Sequence, residues 1–232
     1  MKMMRINKYL SRCGVASRRN AEKLILQGLI KVNGKIITDL SFQINDDDIV
    51  EYKGHILRPV EDKFYFALNK PINYASTNSK KFDDKIIFDL IDVKEKLFSI
   101  GRLDKDSRGL IIITNDGDIY NKVIHPRNII FKKYIVKLDK FFLKSHKSIL
   151  ENGIDIGGYI TSPAKIKILG DKTIQIEISE GKNRQIRRMF AILGYKVLDL
   201  NRVSIGKIEL SNLEIGKYRN LTINEINYLK NL

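Results

Sequence analysis

The chain is poor in the residues that form disulfides and metal clusters. It contains a single cysteine, Cys13, which excludes an internal disulfide and a zinc cluster of thiolates. Its three histidines, His55, His125 and His146, are scattered, and so we expect no metal site. Such sparing use of cysteine suits a reducing compartment, and we therefore expect the protein in the cytoplasm.

Long apolar segments are also lacking. No apolar run approaches the roughly 20 residues that cross a bilayer. The first five residues include charge but no apolar segment follows them, so we expect no secretory signal. The chain has 232 residues, of which 43% are hydrophobic, and this is enough to build one large domain or two smaller ones.

Acidic residues are the minority among the charged ones. There are 27 Asp and Glu against 42 Lys and Arg, which gives a net charge of +15. Such an excess predicts attraction to nucleic acid or to an anionic membrane and says nothing about the fold. Because the sequence shows no long basic amphipathic helix, RNA or DNA is the favoured partner and a membrane is not expected.

The first 60 residues differ in pattern from the rest. They predict two short helices, with Gly14 ending the first and Ser17 capping the second, and then a hairpin that turns at Asn33-Gly34. Charge alone is compatible with either a phosphate-binding surface or an ordinary solvated helix face. The basic residues on or beside these helices are Arg5, Lys8, Arg12, Arg18, Arg19 and Lys23.

The remainder of the chain mixes strands and helices without a regular alternation. Segment 58–63 is polar and contains a proline, which predicts a linker. The alternating apolar pattern of 173–179 favours an antiparallel sheet with one solvated face, and we therefore predict an α+β fold. Further strands are expected at 64–69, 110–113 and 133–138, and helices at 83–92, 117–124, 142–152 and 183–193.

Segment 101–109 carries the strongest chemical signal. It reads Gly-Arg-Leu-Asp-Lys-Asp-Ser-Arg-Gly and leads directly into an apolar strand. A polar loop held by a buried strand is a common place for catalytic groups, and nearby positive charge favours an ionised carboxylate. Taken alone, however, aspartates in a loop framed by glycines usually cap a helix or bond their own backbone, and this segment by itself favours that explanation.

Arginines crowd the start of the helix expected at 183–193. Arg184, Arg187 and Arg188 lie where the helix dipole disfavours cations, so compensating anions such as phosphates or Asp104 are expected. Two other segments bear on Asp104, namely a strand tyrosine behind two lysines, Lys132-Lys133-Tyr134, and Lys70-Pro71 followed by Ser76-Thr77.

The N-terminal segments resemble an S4 RNA-binding domain. This resemblance implies that residues 1–60 form a small RNA-binding module whose two helices face RNA, with Arg5, Lys8, Arg12, Arg18 and Arg19 among the contacts. The segments that carry it are Met4-Arg5-Ile6-Asn7-Lys8-Tyr9-Leu10, Gly14-Val15-Ala16-Ser17-Arg18-Arg19-Asn20-Ala21-Glu22 and Gly28-Leu29-Ile30-Lys31-Val32-Asn33-Gly34.

The later segments resemble the pseudouridine synthases, in the branch that modifies bacterial ribosomal RNA and carries an N-terminal S4 domain. The resemblance implies a cofactor-independent enzyme with a mixed, mainly antiparallel-sheet catalytic domain at 61–232. It spans nearly the whole chain. The segments that carry it are Gly101-Arg102-Leu103-Asp104, Lys133-Tyr134-Ile135-Val136, Asn183-Arg184-Gln185-Ile186-Arg187-Arg188-Met189 and Gly216-Lys217-Tyr218-Arg219-Asn220-Leu221.

The resemblance assigns roles to three residues. Asp104 would be the essential catalytic aspartate, Tyr134 would pack against the target base and act in proton transfer, and Arg187 would pair with Asp104. RNA contacts are expected from a further set of cations: Lys70, Arg102, Lys133, Arg184 and Arg188. Simpler explanations are a buried strand tyrosine at 134, a loop-shaping role for Arg102 and a solvated Arg188.

The sequence departs from the family pattern at two places near the site. Asn73 stands where the family commonly has glycine, which leaves open whether the local turn is the same, and Ser107 stands where many members have threonine. Neither change removes an expected catalytic group.

Ribosomal RNA is the expected partner, free or in a pre-ribosomal particle, and a monomer is the default expectation. Segments 101–107 and 183–189 resemble the large-subunit enzymes most. Two alternatives stay open, a non-catalytic S4-type ribosome-assembly factor and a pseudouridine synthase that acts on transfer RNA.

Overall fold

The computed structural model describes residues 3–79, 85–125 and 127–232. The chain divides into two units, one from the N-terminus to Lys63 together with Lys94–Lys96, and one comprising Phe64–Val93 and Leu97–Leu232. Each unit has its own apolar core.

The first unit packs two helices against short strands. Ser17 caps the second helix by accepting a hydrogen bond from Asn20 N at 3.3 Å, as predicted. The hairpin at Asn33-Gly34 is also confirmed, and both turn residues have positive φ. Its elements are β1 (Met4–Arg5), α1 (Ile6–Arg12), α2 (Arg18–Leu26), β2 (Ile30–Val32), β3 (Lys35–Ile36), β4 (Gln43–Ile44), β5 (Val50–Tyr52) and β6 (His55–Ile56).

The helices of the first unit meet through apolar and polar contacts. Leu10 of α1 and Ile25 of α2 are fully buried in one cluster with Ile30 of β2. Asn7 Nδ2 donates to Glu22 Oε1 at 2.8 Å, which ties α1 to α2. The apolar faces of both helices are thus buried in the unit, and the charged residues are left on the outside.

The second unit is a mixed sheet with helices on both faces. Its order is β11-β12-β10-β13-β9-β7-β15, with β14 beside β13 and β8 beside β9. The elements are β7 (Tyr65–Lys70), β8 (Phe98–Ile100), β9 (Arg108–Thr114), α3 (Gly117–Ile124), β10 (Lys132–Leu138), α4 (Ser145–Asn152), β11 (Lys165–Gly170), β12 (Thr173–Ile178), α5 (Gln185–Ile192), β13 (Val197–Ile205), β14 (Ile208–Glu209), β15 (Tyr218–Asn220) and α6 (Ile223–Lys230).

The sheet is mainly antiparallel, and this confirms the predicted α+β class. The pairing of β9 with β13 is parallel, whereas β10 pairs antiparallel with both β12 and β13. Strand β9 is buried on both faces, with Ile111 and Ile113 in one core cluster and Leu110 and Ile112 in the other. A strand that is covered on both faces has a continuous apolar sequence, as β9 does. Such a strand also gives the loop before it a rigid support.

Three of the four helices predicted in this unit are confirmed, and one is wrong. Those at 117–124, 142–152 and 183–193 are confirmed as α3, α4 and α5, with ends within three residues. The helix predicted at 83–92 is wrong in the described part, where residues 85–92 contain only the 3-10 turn Ile87–Leu90. Residues 83 and 84 lie outside the described residues. Within the three described ranges, no helix has the length and apolarity required to span a bilayer.

Candidate active site

The loop of residues 101–107, called the Asp104 loop below, is anchored through its backbone. Ser76 Oγ donates to Leu103 O at 3.0 Å and accepts from Leu103 N at 3.3 Å. Ser107 N donates to Asp104 O at 3.0 Å, which closes the turn on itself. The residue before Asp104 is thus fixed by a side chain, and the loop meets β9 in a defined conformation.

Asn73 supplies a further anchor from the turn after Lys70-Pro71. Its backbone N donates to Lys105 O at 2.7 Å. Its φ is 68°, in the left-handed region that glycine adopts freely and asparagine tolerates better than most residues. The turn therefore has the backbone that a glycine would favour, although this sequence has asparagine there.

Lys70 lies beneath the loop and does not reach solvent. It is 0% exposed, and its Nζ donates to Ser107 O at 2.6 Å and to Pro71 O at 3.0 Å. Burial lowers the pKa of Lys70 to about 8, against the opposing influence of the Asp106 and Asp104 carboxylates. The expectation that Lys70 contacts RNA is therefore wrong, since a buried ammonium group cannot touch a phosphate outside. Its position makes it an anchor of the loop.

The two carboxylates of the loop share one guanidinium unequally. Arg184 donates from Nη1 and Nη2 to the two carboxylate oxygens of Asp106, at 3.1 and 2.8 Å. Its Nη1 is 4.0 Å from Asp104 Oδ2, which is an ion pair beyond hydrogen-bonding distance. The hydrogen bonds from Arg184 hold the pKa of Asp106 below its usual range. The Asp104 side chain is 36% exposed and so is accessible to a substrate.

Arg187 does not pair with Asp104 as the resemblance implies. Its Nη2 donates to Asp106 O at 2.8 Å, and its Nε lies 3.3 Å from Asp106 Oδ2. Its Nη1 donates to Val197 O at 2.9 Å. The guanidinium is thus fixed between the start of β13 and the Asp104 loop, and Asp106 is the acid that faces it there. The expected pairing is therefore corrected to Asp106.

The segment that leads into α5 is organised around Glu180. Glu180 accepts hydrogen bonds from Tyr159 Oη, from Ser162 N at 2.9 Å and Oγ at 3.2 Å, and from Gln185 Nε2 at 2.7 Å. Burial by itself raises the pKa of Glu180, but these hydrogen bonds outweigh it and leave the pKa below its usual range. We did not assign Glu180 a role from the sequence, because its partners lie up to 21 residues away.

Tyr134 occupies a buried position in the core cluster that also holds Leu103 and Ile186. It is 7% exposed. The cluster therefore links the tyrosine to the residue before Asp104 and to the first turn of α5. Lys133 is the neighbouring residue in β10, so its side chain extends from the opposite face of the sheet.

The other predicted cations are dispersed. Arg188 donates to Ile156 O and, at 3.3 Å, to Gly157 O, and so it holds the loop after α4. Arg102 is exposed in the Asp104 loop. In the first unit, Arg5, Arg18 and Arg19 are exposed, whereas Lys8 and Arg12 are partly buried. The structure thus gathers Arg184 and Arg187 beside the two aspartates and leaves the remaining cations elsewhere.

The chemistry available at the site is that of an accessible carboxylate close to a fixed guanidinium. Such a carboxylate can attack an electrophilic carbon or remove a proton. Among the residues that the structure describes, no three His, Cys, Asp or Glu side chains are grouped as metal ligands.

Two protein families match the chain. The family described as RNA pseudouridylate synthase matches residues 64–192, and the family described as S4 domain matches residues 4–50. The first match includes the Asp104 loop, Tyr134 and the arginines of α5.

Named relatives match over nearly the full length of this chain. Ribosomal large subunit pseudouridine synthase B of Bacillus subtilis (strain 168) is 38% identical, over 99% of this chain and 97% of that protein. Dual-specificity RNA pseudouridine synthase RluF of Escherichia coli (strain K12) is 38% identical, over 96% and 77%. Ribosomal small subunit pseudouridine synthase A of Haemophilus influenzae (strain ATCC 51907 / DSM 11121 / KW20 / Rd) is 36% identical, over 97% and 99%.

A solved structure agrees with this assignment. A crystal structure of a pseudouridylate synthase superposes with a TM-score of 0.72 at 36% identity and covers 97% of this chain and 99% of that one. With matching domains, full-length relatives and a common fold, this chain belongs to the RNA pseudouridylate synthase family and is a pseudouridine synthase with an S4 domain.

Proposed function

We propose that the protein isomerises a specific uridine of ribosomal RNA, with Asp104 as the catalytic aspartate. The observation that carries this proposal is the accessible Asp104 carboxylate, 4.0 Å from Arg184, on a loop whose backbone is anchored by Ser76 and Lys70. In this proposal, residues 1–60 bind RNA, residues 61–232 carry the chemistry, and the protein acts as a cytoplasmic monomer.

The reaction exchanges one bond to the sugar for another. The N1–C1′ bond of uridine breaks, the uracil turns, and C5 bonds to C1′. The hydrogen on C5 then leaves as a proton and N1 takes up a proton from solvent, so that the product is an isomer of the substrate. Asp104 acts at the sugar, either as a nucleophile at carbon or as a base, and in both cases it works as an anion. The guanidinium of Arg184 lies 4.0 Å from that carboxylate.

The target base must leave its stack to reach such a carboxylate. Extrusion costs a few kcal/mol, and phosphate contacts made by a basic protein offset that cost. The net charge of +15 supplies the attraction. The family resemblance assigns Tyr134 to pack against the extruded uracil, which requires the base to reach a ring that is 7% exposed without RNA. The exposed Arg102, two residues before Asp104, is placed to contact the RNA.

The proposed substrate is large-subunit ribosomal RNA. The relative from Bacillus subtilis is named for the large subunit, and the Asp104 loop resembles the large-subunit enzymes. The Haemophilus influenzae relative is named for the small subunit and the Escherichia coli relative for dual specificity. The test must therefore include other RNA classes beside large-subunit ribosomal RNA.

The experiment is release of tritium from transcripts labelled at C5 of uridine. Large-subunit, small-subunit and transfer RNA transcripts are incubated separately with the full-length protein. We expect release from the large-subunit transcript, stoichiometric with one uridine. Release from the small-subunit or transfer RNA alone would overturn the substrate assignment, and no release from any of them, free or in partly assembled particles, would overturn the proposed function.

A further inference from the structure

The Asp104 loop contains two carboxylates that compete for the same cation. Asp104 and Asp106 belong to one closed turn, and Arg184 faces both. The two hydrogen bonds of Arg184 go to Asp106, while its distance to Asp104 is 4.0 Å. The bidentate interaction is thus made by the acid to which the proposed mechanism gives no role.

Arg184 lies at a position that is unfavourable both for its backbone and for its charge. It precedes α5 with φ of 49°, in the left-handed region that costs a residue with a side chain of order 1 kcal/mol or more. The first turn of α5 contains no acidic residue, although the helix dipole disfavours cations there. Asp106 is the anion that accepts two hydrogen bonds from the Arg184 guanidinium at this position.

Asp106 also fixes the second arginine. Arg187 Nη2 donates to the backbone carbonyl of Asp106 at 2.8 Å, and Arg187 Nε faces its carboxylate at 3.3 Å. One residue thus engages two guanidinium groups through three of its oxygen atoms. It joins the start of α5 to the loop on which Asp104 lies.

We propose that Asp106 is a positioning residue for the isomerisation. It holds Arg184 and Arg187 so that Asp104 remains in the electrostatic field of Arg184 while its oxygens stay free of a guanidinium hydrogen bond. Without Asp106, the arginines turn to Asp104, the remaining acid of the loop, and occupy the oxygens that must act at the sugar. This inference rests on the proposed role of Asp104.

The test compares Asp106→Asn, Asp106→Glu and Glu225→Gln in the full-length protein. Glu225 is the matched control, because it makes a bidentate pair with Arg219 at 2.8 Å and does not belong to the site. The single-turnover rate of tritium release is measured with enzyme in excess, and the dissociation constant for the same transcript is measured by filter binding. Circular dichroism verifies that every variant is folded.

We expect Asp106→Asn to slow the single-turnover rate by about a hundredfold, the loss typical of a misplaced reacting group. RNA affinity should be unchanged, Asp106→Glu should recover part of the rate, and Glu225→Gln should match wild type. Because Asp106 acts through Arg184, Asp106→Asn combined with Arg184→Gln should lose no more rate than the slower single variant.

Three results would overturn the inference. Asp106→Asn with the wild-type rate would show that Asp104 needs no such support. Tighter RNA binding at an unchanged rate would show that Asp106 merely occupies a phosphate-binding arginine. Equal rate losses in Asp106→Asn, Asp106→Glu and Glu225→Gln would show that the rate falls because the protein is destabilised and not because Asp104 is misplaced. If wild type itself released no tritium, the proposed function would fail, and this inference with it.

Discussion

Lys70 is a charged side chain that is enclosed entirely by protein. Its ammonium group donates to two backbone carbonyls, and burial lowers its pKa to about 8. In the unfolded chain the same group has a pKa near 10.4, so the unfolded state holds the proton over a range in which the folded state has released it. The free energy of unfolding therefore depends on pH through this residue.

The sign of that dependence is a prediction. Between the two pKa values the unfolded chain binds more protons, so the stability contributed by Lys70 rises with pH and is lost as pH falls toward 8. Relative to Lys70→Met, wild type should gain about 1.5 kcal/mol between pH 8 and 9.5. Urea unfolding followed by circular dichroism at both pH values measures it. A constant difference would contradict the lowered pKa.

Gly109 is a second residue whose surroundings fix its identity. It has φ of 108°, and a Cβ there would lie 2.3 Å from Arg202 O and 2.5 Å from Asn201 Oδ1, at the parallel contact of β9 with β13. Gly101 also has a positive φ, of 73°, but faces open space. Substitutions at Gly101 and Gly109 therefore distinguish the cost of backbone strain alone from the cost of strain together with a steric clash.

We predict that Gly101→Ala lowers the free energy of unfolding by about 1–2 kcal/mol, the cost of left-handed strain alone. Gly109→Ala should lower it by more than about 3 kcal/mol, because the clash adds to the strain. Thermal and urea unfolding of the two variants provide the comparison. Equal losses would mean that β9 and β13 can separate at little cost.

At the scale of elements, the segment before α5 depends on Glu180 more than on helix propensity. Its carboxylate gathers hydrogen bonds from Tyr159, Ser162 and Gln185, and Gln185 Oε1 in turn accepts from Lys182 N at 2.9 Å. These contacts hold the backbone from which the guanidinium of Arg184 extends. A change at Glu180 should therefore affect both stability and the site.

Glu180→Gln tests this arrangement. The amide replaces an acceptor with a donor that faces other donors, so we expect the free energy of unfolding to fall by about 1–3 kcal/mol. Glu214→Gln, on the exposed surface, should have no such effect. The contrast is measured by urea unfolding, and equal stabilities would show that the Glu180 contacts contribute nothing net.

Sequence patterns within a few residues predicted most helices, strands and turns. They did not predict which segments distant in the sequence would pair. Ser17, Asn33-Gly34 and the alternation of β12 determine their structures through contacts within a few residues, and the sequence predicted them. The parallel contact of β9 with β13 joins residues more than 90 positions apart. No local pattern encodes such a pairing.

The same limit explains the outcome at the site. The Asp104 loop and the arginines of α5 were identified from their composition, but not which arginine faces which aspartate. That choice depends on Val197 O at the start of β13, which accepts a hydrogen bond from Arg187 of α5. Lys70 was expected to contact RNA with the other cations of the family pattern, whereas the fold encloses it.

At the scale of the whole molecule, the net charge of +15 predicts how RNA binding responds to salt. Arg18 and Arg19 are exposed on α2, where the S4 resemblance places RNA. Replacing both with Gln should weaken binding and reduce the slope of log affinity against log salt by about 1 for each phosphate that the variant no longer neutralises.

The rate with bound RNA should not change in that double variant, because the arginines lie in the first unit. Lys167→Gln, on the exposed face of β11, is the control and should leave the slope unaltered. Filter binding over a range of salt concentrations gives the slopes. An unchanged slope for the Arg18 and Arg19 variant would show that α2 does not meet RNA phosphates.

The most direct test of the catalytic assignment is tritium release by wild type and Asp104→Asn, assayed together on the same large-subunit transcript. Asn keeps the shape of the side chain and removes the anion. We predict release by wild type, a loss of at least about a thousandfold in Asp104→Asn, and equal RNA affinity for both. An Asp104→Asn variant that releases tritium at the wild-type rate would contradict the assignment of Asp104 as the catalytic residue.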